Sequence, residues 1–234
     1  MLGKKAGLKF SKIREADGYP CYEIVSPTLS SKDGIYLSAG IHGDEAGAVL
    51  GLLQWAENHV DLLPSLPLLI YPCLNPWGLE NNLRYNSHGQ DLNRMWDGSA
   101  TPLIGSIMQR LRGVHFRISL CLHEDYDGQG IYLYAPGGSP KVRKIADAVL
   151  SATEKIIPRD QRKKIDGRKC TNGMIFPRPS KQPVEGMPEA LFLYRNCGRV
   201  NYTVETPSEW CIKLRANAHA QMLETTLRNV KTST

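Results

Sequence analysis

Ile35 to Leu53 read IYLSAGIHGDEAGAVLGLL. The apolar run Ile35 to Ala39 predicts a short buried strand, and Gly40 to Gly47 turn the backbone into an apolar helical pattern. His42 and Glu45 lie in that turn. An imidazole and a carboxylate at His-x-x-Glu spacing, delivered from the carboxyl end of a strand, can converge on one cation. A catalytic zinc takes three protein ligands and keeps a fourth position for water or substrate, so a third ligand has to come from elsewhere in the chain.

Working outward, Tyr22 to Val25 predict a first strand, closed by the turn that runs from Ser26 to Gly34. From Ala46 to His59 the residues Val49, Leu50, Leu52, Leu53 and Trp55 predict a helix that packs on a sheet and ends at a surface His59. LLIYPCLN, residues 68–75, reads as a strand buried on both faces. The polar connection after it carries Arg84, Asp91, Asn93 and Arg94. A long polar connection inside a compact domain is usually functional or disordered, and its place between two well-formed apolar segments favours function. A helix is expected from Thr101 to Leu111, with Pro102 in its first turn. Phe116 to Leu122 form another buried strand, with His123 at its carboxyl end. Ligands of open α/β sheets bind outside the carboxyl ends of strands, so His42 and His123 occupy equivalent positions on separate strands.

Further along, Ile131 to Ala135 predict a strand and Pro140 to Ile157 a helix. The proline-rich run from Pro158 to Pro188 reads as a loop-like wall or flap over the site. GRVNYTVET, residues 198–206, is the last strand and places Glu205 at its end. Ser208 to Val230 read as a closing helix.

Composition bounds the function. The chain has 234 residues, 22% of them charged and 41% hydrophobic, which suits a globular protein with a substantial core. No apolar run approaches the roughly 20 residues needed to span a bilayer. The first residues lack the apolar segment of a secretory signal, so the expected compartment is the cytoplasm. Six widely spaced cysteines with no C-x-x-C pair agree with a reducing compartment. The net charge of +6 is scattered, apart from a cluster from Arg162 to Lys169, and gives no reason to expect a nucleic-acid partner.

His42 and Glu45, His123 after its apolar strand, the run RYNSHGQDLNR from Arg84 to Arg94, and YTVET around Glu205 occur in one order. In these features the chain resembles the zinc carboxypeptidases, the carboxypeptidase A-like metallopeptidases with their compact bacterial members. The resemblance implies His42, Glu45 and His123 as ligands of one zinc ion, Glu205 as the catalytic base, and Arg84 as the cation that stabilises the oxyanion. It also implies Asn93 and Arg94 as the grip on the substrate's carboxylate, and Asp91 as the acid that orients His42. The chemistry is coherent: zinc brings the pKa of bound water from 15.7 towards about 7, and a carboxylate beside that water can shuttle its proton to the leaving amine. Arginine's planar fork suits a carboxylate in a way that lysine's point charge does not.

Some features depart from the pattern. Tyr194 and Tyr202 are available for the tyrosine that many members carry on a mobile loop, but neither matches its spacing. The region that shapes specificity, Cys170 to Cys197, has no recognisable counterpart. Asp44, in His-Gly-Asp-Glu, is also similar to the aspartoacylase and succinylglutamate desuccinylase branch, whose members cleave N-acyl amino acids, and it could compete as a ligand. His88 reads as a loop residue, and His115 and His219 as structural. Glu124 and Asp125 either tune the site or form a solvated acidic turn.

We therefore expect one α/β domain over residues 1–234, with a mixed, mostly parallel central sheet flanked by helices. It would hold one zinc ion and cleave an amide next to a free carboxylate in a small peptide, without nucleic-acid or membrane partners. Deacylation of N-acyl amino acids and a non-catalytic metal- or peptide-binding role are the alternatives.

Overall fold

Four strands, each almost wholly buried, form the centre of the molecule: β4 (Leu68–Tyr71), β3 (Gly34–Ser38), β5 (Phe116–Asp125) and β10 (Asn201–Pro207). They lie side by side in that order and run parallel. The computed structural model describes residues 6–98, 101–178 and 186–231. Outside β4 the sheet is extended by β2 (Tyr19–Val25) and β1 (Lys9–Ala16), both antiparallel to their inner neighbours. Outside β10 lie β6 (Tyr132–Tyr134), antiparallel to it, and β9 (Met174–Ile175). A separate hairpin pairs β7 (Lys164–Ile165) with β8 (Arg168–Lys169).

Alternation along the strands divides the core in two. Ile35, Leu37, Ile118, Leu120, Leu122 and Val204 face α1 (Ala46–Asn58), α4 (Pro140–Thr153) and α6 (Ile212–Lys231). Tyr36, Leu69, Tyr71 and Cys121 face α3 (Pro102–Arg110) and α5 (Glu189–Asn196). Each such buried aliphatic or aromatic side chain contributes roughly 1.5–3 kcal/mol relative to exposure. The result is the mixed, mostly parallel sheet between helices that the apolar runs imply. No helix among the described residues is long and apolar enough to cross a membrane.

Three local readings change. The N-terminal strand pairing begins at Lys9: Asp17 and Gly18, both at positive φ, make the tight turn that folds β1 onto β2. The polar connection after β4 contains a short helix, α2 (Pro76–Asn81), capped by the Asn75 side chain, which accepts from the Gly78 N–H at 3.0 Å. The run from Pro158 to Pro188, of which residues 179–185 lie outside the described residues, holds β7, β8 and β9 and is not one loop.

Candidate metal centre

The turn after β3 is held against the segment that follows β4. The Gly43 N–H donates to the Leu83 carbonyl at 3.1 Å. A side chain at Gly43 would place its Cβ 1.9 Å from the Gly78 carbonyl carbon, so only glycine fits. This contact aims His42 and Glu45 inward, where they are 2% and 3% exposed. His123, 4% exposed, comes to the same place from the end of β5. His42 Nδ1 lies 2.5 Å from Glu45 Oε1, and His123 Nδ1 lies 2.9 Å from Glu45 Oε2. Ligand atoms from the three residues all fall within 4.8 Å of one another, the only such grouping among the described residues.

The local field favours a positive charge. Burial opposes protonation of His42, but Glu45 and Asp91 outweigh it and lift the imidazole to about 9. His123 is raised in the same way, against its burial, by Glu45. Glu45 is fully buried, yet the two imidazoles hold its carboxyl below the ordinary range. Two imidazoles and one carboxylate, packed this closely and stabilising positive charge between them, fit the donor set of a catalytic zinc.

Asp91 serves two neighbours. Its Oδ1 is 3.2 Å from His42 Nε2, which leaves Nδ1 to face the centre, and its Oδ2 accepts from Arg84 Nε and Nη2 at 3.2 and 3.0 Å. It also caps the helical turn Leu92–Arg94 by accepting the Asn93 N–H at 2.9 Å. Burial works against its charge, but His42 and Arg84 hold its carboxyl well below the usual range. Arg84 is thereby placed with Nη1 3.4 Å from His42 Nδ1 and 3.9 Å from Glu45 Oε1.

Asn93 and Arg94 stand on the same turn. Asn93 Oδ1 accepts the Glu189 N–H at 2.9 Å, so α5 starts from this side chain, while its Nδ2 has no partner among the described residues. Arg94 Nη1 donates to the Asn93 carbonyl at 3.1 Å.

Glu205 reaches the centre from β10. It pairs with His123 on β5 and with Tyr132 on β6, so the three side chains share one face of the sheet. Burial pushes its carboxyl well above the usual range, with His123 pulling partly against that shift.

The family model for the succinylglutamate desuccinylase/aspartoacylase catalytic domain matches residues 31–135, the stretch from just before β3 to just past His123. No curated protein matches the chain significantly. Among solved structures the chain is similar to a candidate metallopeptidase of Shewanella amazonensis, with 22% identity, a TM-score of 0.84, and coverage of 97% of this chain and 88% of that one. It is similar also to carboxypeptidase A of Helicoverpa armigera, with 17% identity, a TM-score of 0.69, and coverage of 99% and 71%. A metallo-carboxypeptidase of Pseudomonas aeruginosa in complex with (2-guanidinoethylmercapto)succinic acid gives 17% identity, a TM-score of 0.66, and coverage of 98% and 68%. The chain is carboxypeptidase-like in fold.

Within this carboxypeptidase-like frame the other candidates separate. Asp44 is exposed, and Glu45 is the acid of the turn that faces both imidazoles. His88 is an exposed loop residue beside Asp17, and His115 is exposed. Tyr202 lies on the far face of the sheet and donates to the Val142 carbonyl at 2.9 Å. Tyr194 packs beside Gly137 and beneath Arg199.

One acid was not singled out by the sequence, and another is settled between its two readings. Glu189 is buried, takes the Tyr36 hydroxyl on Oε1 at 2.5 Å, and leaves Oε2 without a hydrogen-bond partner. Nothing in its surroundings in sequence marks it. Glu124 is buried, not part of a solvated turn. Its signal was legible, because it continues the alternation Ile118, Leu120, Leu122 on the α1 and α6 side of β5. Asp125 accepts from Tyr132 and Arg162 at 2.9 and 2.8 Å, beside Glu205.

Proposed function

We propose that this chain is a zinc hydrolase of one catalytic domain, residues 1–234, that cleaves an amide bond next to a free carboxylate. The observation that carries this reading is the meeting of His42, Glu45 and His123, from separate parts of the chain, with Glu205 paired across from His123. Zinc held by the three ligands would supply Lewis acidity and a water of lowered pKa. Glu205 in its ionised form would take that water's proton, and its burial, which raises its proton affinity, suits it to hold the proton for the leaving amine. Arg84, anchored by Asp91, donates to the carbonyl oxygen as charge develops there, an interaction typically worth about 2.7–4 kcal/mol. Asn93 Nδ2 and the Arg94 guanidinium grip the substrate's carboxylate. Asp91 keeps His42 in the tautomer that offers Nδ1.

A carboxylate-bearing substrate is supported by the succinic-acid ligand of the Pseudomonas relative. Peptides with a free C-terminus are the first substrate class. The family match over residues 31–135 favours a second reading, deacylation of N-acyl amino acids. The experiment is zinc stoichiometry together with turnover of free C-terminal peptides, their C-terminal amides, and N-acetyl and N-succinyl amino acids. The first reading expects one zinc per chain, cleavage of the free peptides much faster than of their C-terminal amides, and no turnover of the N-acyl amino acids. Turnover of the N-acyl amino acids alone transfers the chain to the second reading, and zinc binding without any turnover removes both.

A further inference from the structure

Resting on the metal-hydrolase reading, we propose that Glu124 is a positioning residue that ties the separate supports of the metal centre together from the opposite face of the sheet. The ligands and base come from three elements: the turn leading into α1, the end of β5, and the end of β10. Glu124 touches or adjoins each of them. It follows His123 directly on β5. Its Oε2 accepts the Gly47 N–H at 2.9 Å, in the first turn of α1 and two residues past Glu45. Its Oε1 accepts the Thr206 hydroxyl at 2.8 Å, on the residue after Glu205. Arg215 of α6 closes the arrangement, with Nη1 2.5 Å from Oε2.

Each contact has a physical reason. The first N–H groups of a helix have no intrahelical acceptor and carry partial positive charge, so a buried carboxylate at the start of α1 satisfies both needs. Position 47 has to be glycine for this approach, since a Cβ there would lie 2.3 Å from Glu124 Oε1 and 2.8 Å from Arg215 Cβ. Because Thr206 donates its proton to Glu124, its oxygen is left to accept from His219 Nε2 at 3.0 Å. The relay thus runs His219 to Thr206 to Glu124, and it fixes the rotamers of all three buried groups. A carboxylate with each lobe committed cannot move without dragging the start of α1 or the end of β10. Outer partners that orient ligands in this way typically control about 10–100-fold in metal affinity or activity.

The test uses zinc alone as probe, by competition against a chromophoric chelator on the full chain, with melting temperature measured in parallel. Glu124→Gln keeps the shape and removes the charge that Arg215 and the helix start require; Gly47→Ala keeps Glu124 and forces it from its seat. Val149→Ala, a cavity variant on α4 away from the centre, is the control for lost stability. We expect Glu124→Gln and Gly47→Ala each to weaken zinc binding by about 10–100-fold, and Val149→Ala to change it by less than about twofold. Should Glu124→Gln fail to fold, Gly47→Ala decides. Zinc affinity in the two variants no lower than in Val149→Ala overturns the proposal. Wild-type protein that binds no zinc strikes the metal reading of the preceding section instead.

Discussion

Glu205 sits directly opposite His123 in the parallel pairing of β10 with β5, so the proposed base and the proposed metal ligand leave the same face of the sheet at the same level. Because Glu205 is not one of the three clustered ligand residues, Glu205→Gln should separate catalysis from binding. The expected outcome is one zinc per chain with turnover lowered by about 10²–10⁴-fold, the usual contribution of a positioned proton carrier. Metal analysis beside a rate assay checks it, and a variant with near-normal turnover takes Glu205 out of the chemistry.

Arg94→Lys preserves charge and discards the planar fork. If Arg94 grips the substrate carboxylate, KM for free-carboxylate substrates should rise by the equivalent of about 1.5–3 kcal/mol, with kcat changed much less. The same substitution should leave the slow cleavage of a C-terminal amide unaltered. An equal loss on both substrates would assign Arg94 to the fold instead.

His219 governs a stretch of the acid stability curve. Burial pushes its imidazole down to about 3 from an ordinary 6.5. Below 6.5 the unfolded chain takes up a proton that the folded chain refuses, so stability falls as the pH drops through the window from 6.5 to about 3. The slope from this one group approaches about 1.4 kcal/mol per pH unit. His219→Gln can still donate to Thr206 but cannot titrate, so its urea-unfolding free energy should decline less steeply than wild type across that window. Parallel curves for the two proteins would count against the assignment.

Gly43→Ala and Gly105→Ala should move stability in opposite directions. At Gly43 the obstacle is the Gly78 and Leu79 backbone, which cannot swing aside, so the loss should reach at least about 3 kcal/mol, the upper end of ordinary overpacking. Gly105 lies inside α3 with nothing within 4 Å of an added Cβ, where alanine should add roughly 0.5–1 kcal/mol. Denaturant midpoints measure both.

The grouping of His42, Glu45 and His123 was legible because each lies at the carboxyl end of an apolar strand, and strand ends are where an open α/β sheet presents polar groups. Asp91 and Arg84 were legible as a motif, although their mutual hydrogen bonds depend on how the chain folds after β4. Tyr202 was excludable in advance: it shares parity with Val204, not with Glu205, and so faces the other way. The β1 strand was not legible, since KFSKIREA is mostly exposed and its pairing rests on the turn at Asp17 and Gly18. The start of α5 escaped for a different reason, because its external acceptor is Asn93, distant in sequence.

That last hydrogen bond divides the carboxamide of Asn93 between two duties: the oxygen belongs to the scaffold, and the nitrogen is left for whatever arrives from outside. Replacing the one nitrogen with oxygen, Asn93→Asp, would retain an acceptor for the α5 amide and invert the sign of the outward edge. An anion would then meet repulsion where it had met a donor. If Asn93 grips the substrate's carboxylate as proposed, selectivity for a charged partner would be reversed by a single isosteric exchange that the architecture would scarcely register.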